Sequence, residues 1–417
     1  MRAAITFALV SGCFNPTYNN PSCGLAGECP DGLACNSVQQ CVRFNGDDGG
    51  NPVDAFGAIV TDAPAACLQW KPHFFSACAI GSPNGPVTLT SGIYTYNTTL
   101  GTLVDASSHQ ITHSTFMLDQ GGTPAWGMNV TNLVVQSGAT LRVIGTRPLV
   151  VAAWETIEID GMIDASSPTP NAIGQLPSNG GAGLDPASCA ASTGGDGQFN
   201  FSGAGGGGGG FQGSGGRGGA NNATGGLNGN PVAIPRIVRG GCAGGAGGSS
   251  SQGVIGYGGL GGGAIQLSAQ TTLIVKGTLK ASGGGGEAAS PGNHGGGGGG
   301  GAGGFIGLES SMLALVSGVI SANGGGGAAS DTGPLQGQNG QDGQPSTFAA
   351  RGGTTFSGCQ SGASGAAGTI FDGQDVSNAT SCDGGGGGGG VGYVFLFSNQ
   401  ITQNTTTQSP QGLVNSF

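Results

Sequence analysis

The chain has 417 residues, enough for two or three domains, and 94 of them are glycine, roughly three times the usual share of about 7%. Charged residues make up 8% and the net charge is −10. Short alternating apolar runs exclude a solvated disordered chain, and eleven Lys and Arg spread along the whole length exclude nucleic acid as a partner, which needs clustered cations.

Residues 1–12 read as a signal peptide: Met1 and Arg2, an apolar run over 3–10, then Ser11 and Gly12 before Cys13. The apolar run is too short to cross a bilayer core of about 30 Å. The string Val10, Ser11, Gly12, Cys13 resembles a bacterial lipoprotein signal with its lipobox. The resemblance implies cleavage before Cys13 and lipid on its sulfur and amino group. It further implies a membrane partner through that N-terminal anchor, and an outer-membrane location that is surface-exposed or periplasmic. Several lipid chains give stable anchoring where one is marginal.

Ten of the eleven cysteines remain once Cys13 is assigned, and their local grouping suggests an oxidising compartment. In residues 13–45, Cys23, Cys29, Cys35 and Cys41 are six apart. Zinc prefers closer ligand pairs, so two disulfides in a loop-rich module are expected, with three connectivities open. This module resembles those that follow the lipid anchor in glycine-rich surface lipoproteins of some Gram-negative bacteria. Residues 46–66 read as an acidic Gly/Pro linker. Asp47, Asp48 and Asp54 lack the ligand order that wraps calcium.

Residues 67–132 form an N-terminal β region, where Cys67 and Cys78 bracket a short loop and are expected to pair. His109 and His113, near Asp105 and Asp119, have the spacing of a helical metal pair. Their Ser/Thr-rich, strand-like surroundings make them two positions on one strand face.

Residues 133–417 carry a repeat. Segments 149–166, 265–282 and 306–323 align without a gap at Leu149/Ile265/Ile306, Val151/Leu267/Leu308, Ile159/Val275/Val316 and Ile163/Leu279/Ile320. Glycine recurs at Gly161, Gly277 and Gly318. Leu133, Val135, Leu141 and Val143 align with Leu149, Val151, Ile157 and Ile159, suggesting a step of 16 residues. Val394 and Leu396 begin a last partial coil. Such copies predict an all-β fold, a right-handed parallel β-helix-like solenoid whose coils bury one another. Glycine-rich insertions 167–264, 283–305 and 324–393 leave it from one corner. Cys189 with Cys242, and Cys359 with Cys382, are expected to close loops in the first and third.

Two readings of the insertions stand open. One is mobile Gly/Ser linker. The other is ordered polyglycine-II packing, three residues per turn, which resembles the layers of some phage adhesins and glycine-rich antifreeze proteins.

The chemistry-bearing motifs are sparse. The G-x-G-x-x-G strings are expected by chance in a chain this rich in glycine and lack the strand–helix setting of a dinucleotide site. Asp160 and Asp164, an acid/base pair in principle, align with Lys276 and Lys280 and are expected to face them as cross-strand charge pairs. His294, Arg217, Arg236, Arg239 and Arg351 have no sequence companion that specifies chemistry. No catalytic residue, cofactor or metal site is predicted. The expected function is a non-enzymatic, structural or adhesive surface protein with a polysaccharide or cell-surface ligand. The alternative is a carbohydrate-active parallel β-helix lyase or hydrolase, expected to show two carboxylates within about 10 Å in a groove, with a basic partner. A third resemblance, to the mycobacterial glycine-rich repeat family, lacks that family's helical Pro-Glu domain here.

Overall fold

The structure, a computed structural model, describes residues 33–35, 41–43, 67, 69–121, 124–169, 180–183, 189–220, 222–249, 255–292, 294–331, 336–355, 359–377, 382–404 and 406–415. The chain divides into two units, Met1–Asp62 and Ala63–Phe417. In the first, β1 (Leu33–Cys35) and β2 (Cys41–Arg43) pair antiparallel, with Cys35 opposite Cys41. Cys13, Cys23, Cys29 and the linker 46–66 lie outside the described residues.

The second unit is nearly all β. It opens with β3 (Val87–Leu89), β4 (Gly92–Asn97), β5 (Thr102–Val104) and β6 (Ser114–Leu118). Two three-strand repeats follow: β7 (Ala125–Val130), β8 (Leu133–Val135) and β9 (Ala139–Ile144), then β10 (Leu149–Ala153), β11 (Thr156–Ile159) and β12 (Met162–Asp164). A small hairpin, β13 (Phe199–Asn200) with β14 (Ser202–Gly203), lies in the first insertion. The next repeats are β15 (Ala264–Ala269), β16 (Thr272–Val275) and β17 (Thr278–Lys280), then β18 (Phe305–Val316) and β19 (Val319–Ser321). The chain ends with β20 (Tyr393–Gln403), β21 (Thr407–Ser409) and β22 (Leu413–Asn415).

Like strands of successive repeats pair in parallel. Leu149 lies opposite Ile265, Ile265 opposite Ile306, and Ile306 opposite Val394. Ile163, Leu279 and Ile320 line up in the same way on β12, β17 and β19. The result is an 11-stranded and a 7-stranded sheet, with antiparallel strands β6 and β5 at one edge of each.

The 16-residue step is corrected by this register. Leu133 lies opposite Ile157, not Leu149, and Leu141 lies opposite Ile163. Leu149 instead pairs with Trp126. Each repeat holds three short strands of similar alternation, so the second strand of one copy resembles the first strand of the next.

Inward residues of the sheets, among them Leu149, Val151, Ile157, Ile159 and Ile163, form one buried core. The other face of β10, β15, β18 and β20 is covered too, so these strands read as apolar runs such as LVVAA and not as strict alternation. There Tyr393, Phe395 and Phe397 stack along β20, with centroids 5.5 and 5.8 Å apart. Phe74 meets Phe305 edge-on, and Trp70 meets Phe75 and Trp154 edge-on. The covering segment is closed by the disulfide Cys67–Cys78. Glu309 is fully buried under it. It accepts hydrogen bonds from the His73 amide (2.6 Å), Ser268 (2.7 Å) and Gln266 (3.1 Å). Burial nevertheless pushes its carboxyl up to about 7.

Beyond the sheets, the glycine runs bond to one another with a period of three. Amides of Gly206 and Gly209 donate to the carbonyls of Gly297 and Gly300; those of Gly297, Gly300 and Gly303 donate to Gly384, Gly387 and Gly390. Amides of Gly384, Gly387 and Gly390 close the circuit on Gly203, Gly206 and Gly209. One run from each insertion is therefore joined side by side, in the same direction, through every third residue. The remaining amides point elsewhere: Gly205 and Gly208 donate to Gly219 and Gly216, and Gly207 and Gly210 to Gly195 and Ser192. Three residues per turn is the period of an extended polyproline-II-type helix. A Cβ on Gly206 would lie 2.1 Å from the Gly245 carbonyl oxygen, and one on Gly387 would lie 2.1 Å from that of Gly216. Only glycine permits this spacing, which explains why the runs exclude side chains. Disulfides Cys189–Cys242 and Cys359–Cys382 close loops in the first and third insertions.

Candidate functional site

The sequence-predicted carboxylates are tied into ion pairs. Lys276 Nζ lies 2.8 Å from Glu158 and 3.3 Å from Asp160, and the hydrogen bond that it donates to Glu158 raises its pKa. Asp164 is opposite Lys280 in the register, but its carboxylate pairs with Arg142 on the other neighbouring strand, at 3.0 Å. The expected Asp164–Lys280 pair is thus corrected to Asp164–Arg142. Arg142 is favoured because its planar fork also reaches the backbone carbonyl of Ser166. His109 pairs with Asp105 at 3.2 Å, while His113 contacts the carbonyl of Ile111, so these two histidines serve different partners. Backbone donation from His109 is the main reason that Asp105 is held below the usual carboxylate range.

A groove of about 790 Å³ lies in the third insertion, beside the corner where that insertion leaves β19. Asn323, fully buried at the corner, fixes its floor: the side-chain amide donates to the carbonyls of Gln344 and Ser346, each at 2.7 Å. Its oxygen accepts from Ser409. Asp342 ties the same loop to the other insertions, accepting from Thr169 (2.7 Å, amide) and Gly285 (3.0 Å, amide). On this pinned loop Phe348 is 78% exposed. Gln341, Gln344 and Arg351 line the groove around it. An aromatic face ringed by amide and guanidinium donors can stack on one face of a ligand while hydrogen-bonding its edge. A second groove of about 800 Å³, lined by Thr and Gln from residues 403–411, meets the same loop at Thr347.

The structure also brings together three groups that lie far apart in sequence. His294, Asp331 and Asp383 place one ligand atom each within 4.8 Å of one another. Both aspartates are buried, at 0% and 3% exposure, and the histidine is exposed. Burial, then the hydrogen bond with Asp331, pushes Asp383 up to about 7. The sequence reading of His294 as isolated is corrected here. Spacing gave no signal, because residues 203, 294, 331 and 383 meet only when the three insertions pack together. Neither carboxyl lines the two grooves described above.

Among the described residues no helix is long and apolar enough to cross a membrane. Comparison with family models, with curated proteins and with solved structures gave no match.

Proposed function

We propose that the chain is a non-enzymatic cell-envelope lipoprotein, anchored through Cys13, that displays a glycine-rich surface for glycan or cell-surface contact. In this reading the paired repeats are coils of a right-handed parallel β-helix-like solenoid. The insertions form a polyglycine-II-type layer on it, and the groove around Phe348 is the contact site.

The observation that carries the reading is the joining of one glycine run from each insertion, through Gly206, Gly297 and Gly384, together with a loop bonded through Gly340 and Gly343 to Gly286 and Gly283 that presents Phe348 to solvent. A rigid platform with an exposed aromatic ring suits a sugar, whose C–H face packs on the negative face of the ring. Preorganisation of the loop by Asn323 and Asp342 lowers the ordering cost of binding.

The test is binding of the full chain to a glycan array and to intact cells. Phe348→Ala is expected to weaken binding at least ~10-fold, the order expected for loss of an aromatic anchor, with unchanged thermal stability. Cleavage of any arrayed polysaccharide by the wild-type chain, with product detected by mass spectrometry, contradicts the non-enzymatic reading.

A further inference from the structure

We infer that His294, Asp331 and Asp383 form a binding site for a divalent transition-metal ion of the zinc type, and that the ion links the glycine-rich insertions. His294 belongs to the second insertion; Asp331 and Asp383 belong to the third. Their donor set, one imidazole nitrogen and two carboxylate oxygens, is one that zinc accepts together with a water in a fourth position. His294 is exposed, so solvent can supply that water.

The geometry is close to what the ion requires. Donors about 2.0–2.1 Å from a tetrahedral ion lie about 3.3 Å from each other. Nδ1 of His294 is 3.6 Å from one oxygen of Asp383, and all three donors lie within 4.8 Å.

The two oxygens of Asp383 also have separate tasks. Oδ1 accepts the Gly203 amide at 2.9 Å, while Oδ2 faces His294. A backbone donor on the non-ligating oxygen is the outer-shell arrangement that fixes a metal-binding carboxylate. Gly203 lies in the first insertion, and its amide also donates to the His294 carbonyl at 2.8 Å. On the chain, Asp383 follows Cys382, which the disulfide to Cys359 holds in place. The ligands are thus set by backbone bonds from all three insertions, at the start of the glycine circuit where Gly384 donates to Gly203. An ion here balances the charge of two adjacent carboxylates whose residues are 0% and 3% exposed.

The test is isothermal titration of the chelator-stripped full chain with zinc, accompanied by thermal melting with and without the ion. One zinc per chain is expected at this site, with a rise in melting temperature. His294→Ala, a change at an exposed side chain, and Asp383→Asn are each expected to weaken that binding at least ~10-fold, by the scale for perturbed metal sites. His109→Ala is expected to leave it unchanged. No zinc binding by the wild-type chain overturns the inference. Binding that persists undiminished in His294→Ala overturns it as well.

Discussion

The guanidinium of Arg142 on β9 holds the carboxylate of Asp164 on β12 at 3.0 Å, and both side chains are about four-fifths shielded from water. The same guanidinium donates to the Ser166 carbonyl, just where the chain leaves for its first insertion. Lys280, opposite Asp164 on β17, makes no ion pair among the described residues. Partial burial and the additional backbone bond make the arginine pair worth more than a surface pair. Arg142→Met is expected to lower unfolding free energy by about 1–2 kcal/mol, and Lys280→Met by less than about 0.5 kcal/mol. Denaturant melts of the two variants check this, and an equal or larger loss for Lys280→Met contradicts the pairing.

Glu309 gives a pH dependence with a definite sign. Its carboxyl rises from 4.5 to about 7 on folding, mainly through burial. The folded state therefore holds a proton that the unfolded state releases. The associated stability is fully present below pH 4.5 and is lost as pH rises through 7. The shift corresponds to about 3 kcal/mol between those limits. Asp383 titrates in the same range, so the informative quantity is the difference between wild type and Glu309→Gln. The variant is expected to lose stability by about 3 kcal/mol less between pH 4.5 and 8. Identical slopes contradict a protonated, buried Glu309.

Two glycines of the same layer separate close packing from mere flexibility. A Cβ on Gly299 would lie 2.0 Å from the Gly207 carbonyl oxygen, which belongs to a backbone held by hydrogen bonds. On Gly284 the nearest atoms would be 3.0 and 3.1 Å away. Gly299→Ala is expected to destabilise by about 3 kcal/mol or more, as overpacking against fixed backbone. Gly284→Ala is expected to stay within about 1 kcal/mol, because the alanine also lowers the entropy of the unfolded chain. Equal, small effects at both positions in thermal melts contradict the packed layer.

Much of the sheet register was legible from side chains alone. Leu149, Ile265 and Ile306 were aligned by their apolar pattern, and they are opposite one another in the sheets. Apolar contacts are repeated at fixed offsets because each strand buries the same face against the next. Leu133 was misaligned for the same physical reason: period-two alternation is shared by all three strands of a repeat, so it does not say which strand is which. Phe348 and the meeting of His294 with Asp331 and Asp383 were not legible. Their placement follows from backbone hydrogen bonds between glycines, which leave no side-chain pattern to read. The ordering of the insertions likewise depends on amides whose partners lie up to about 180 residues away, as with Gly203 and Asp383.

The glycine runs are built into a hydrogen-bonded layer, and amide hydrogen exchange of the full chain reads that layer residue by residue. Residues 205–210, 297–301 and 384–390 are buried and bonded with a period of three, so their amides are expected to exchange slowly, with protection comparable to that of β10 and β15. Exchange of these glycines at the rate of an unstructured chain, while the strands remain protected, would contradict the account.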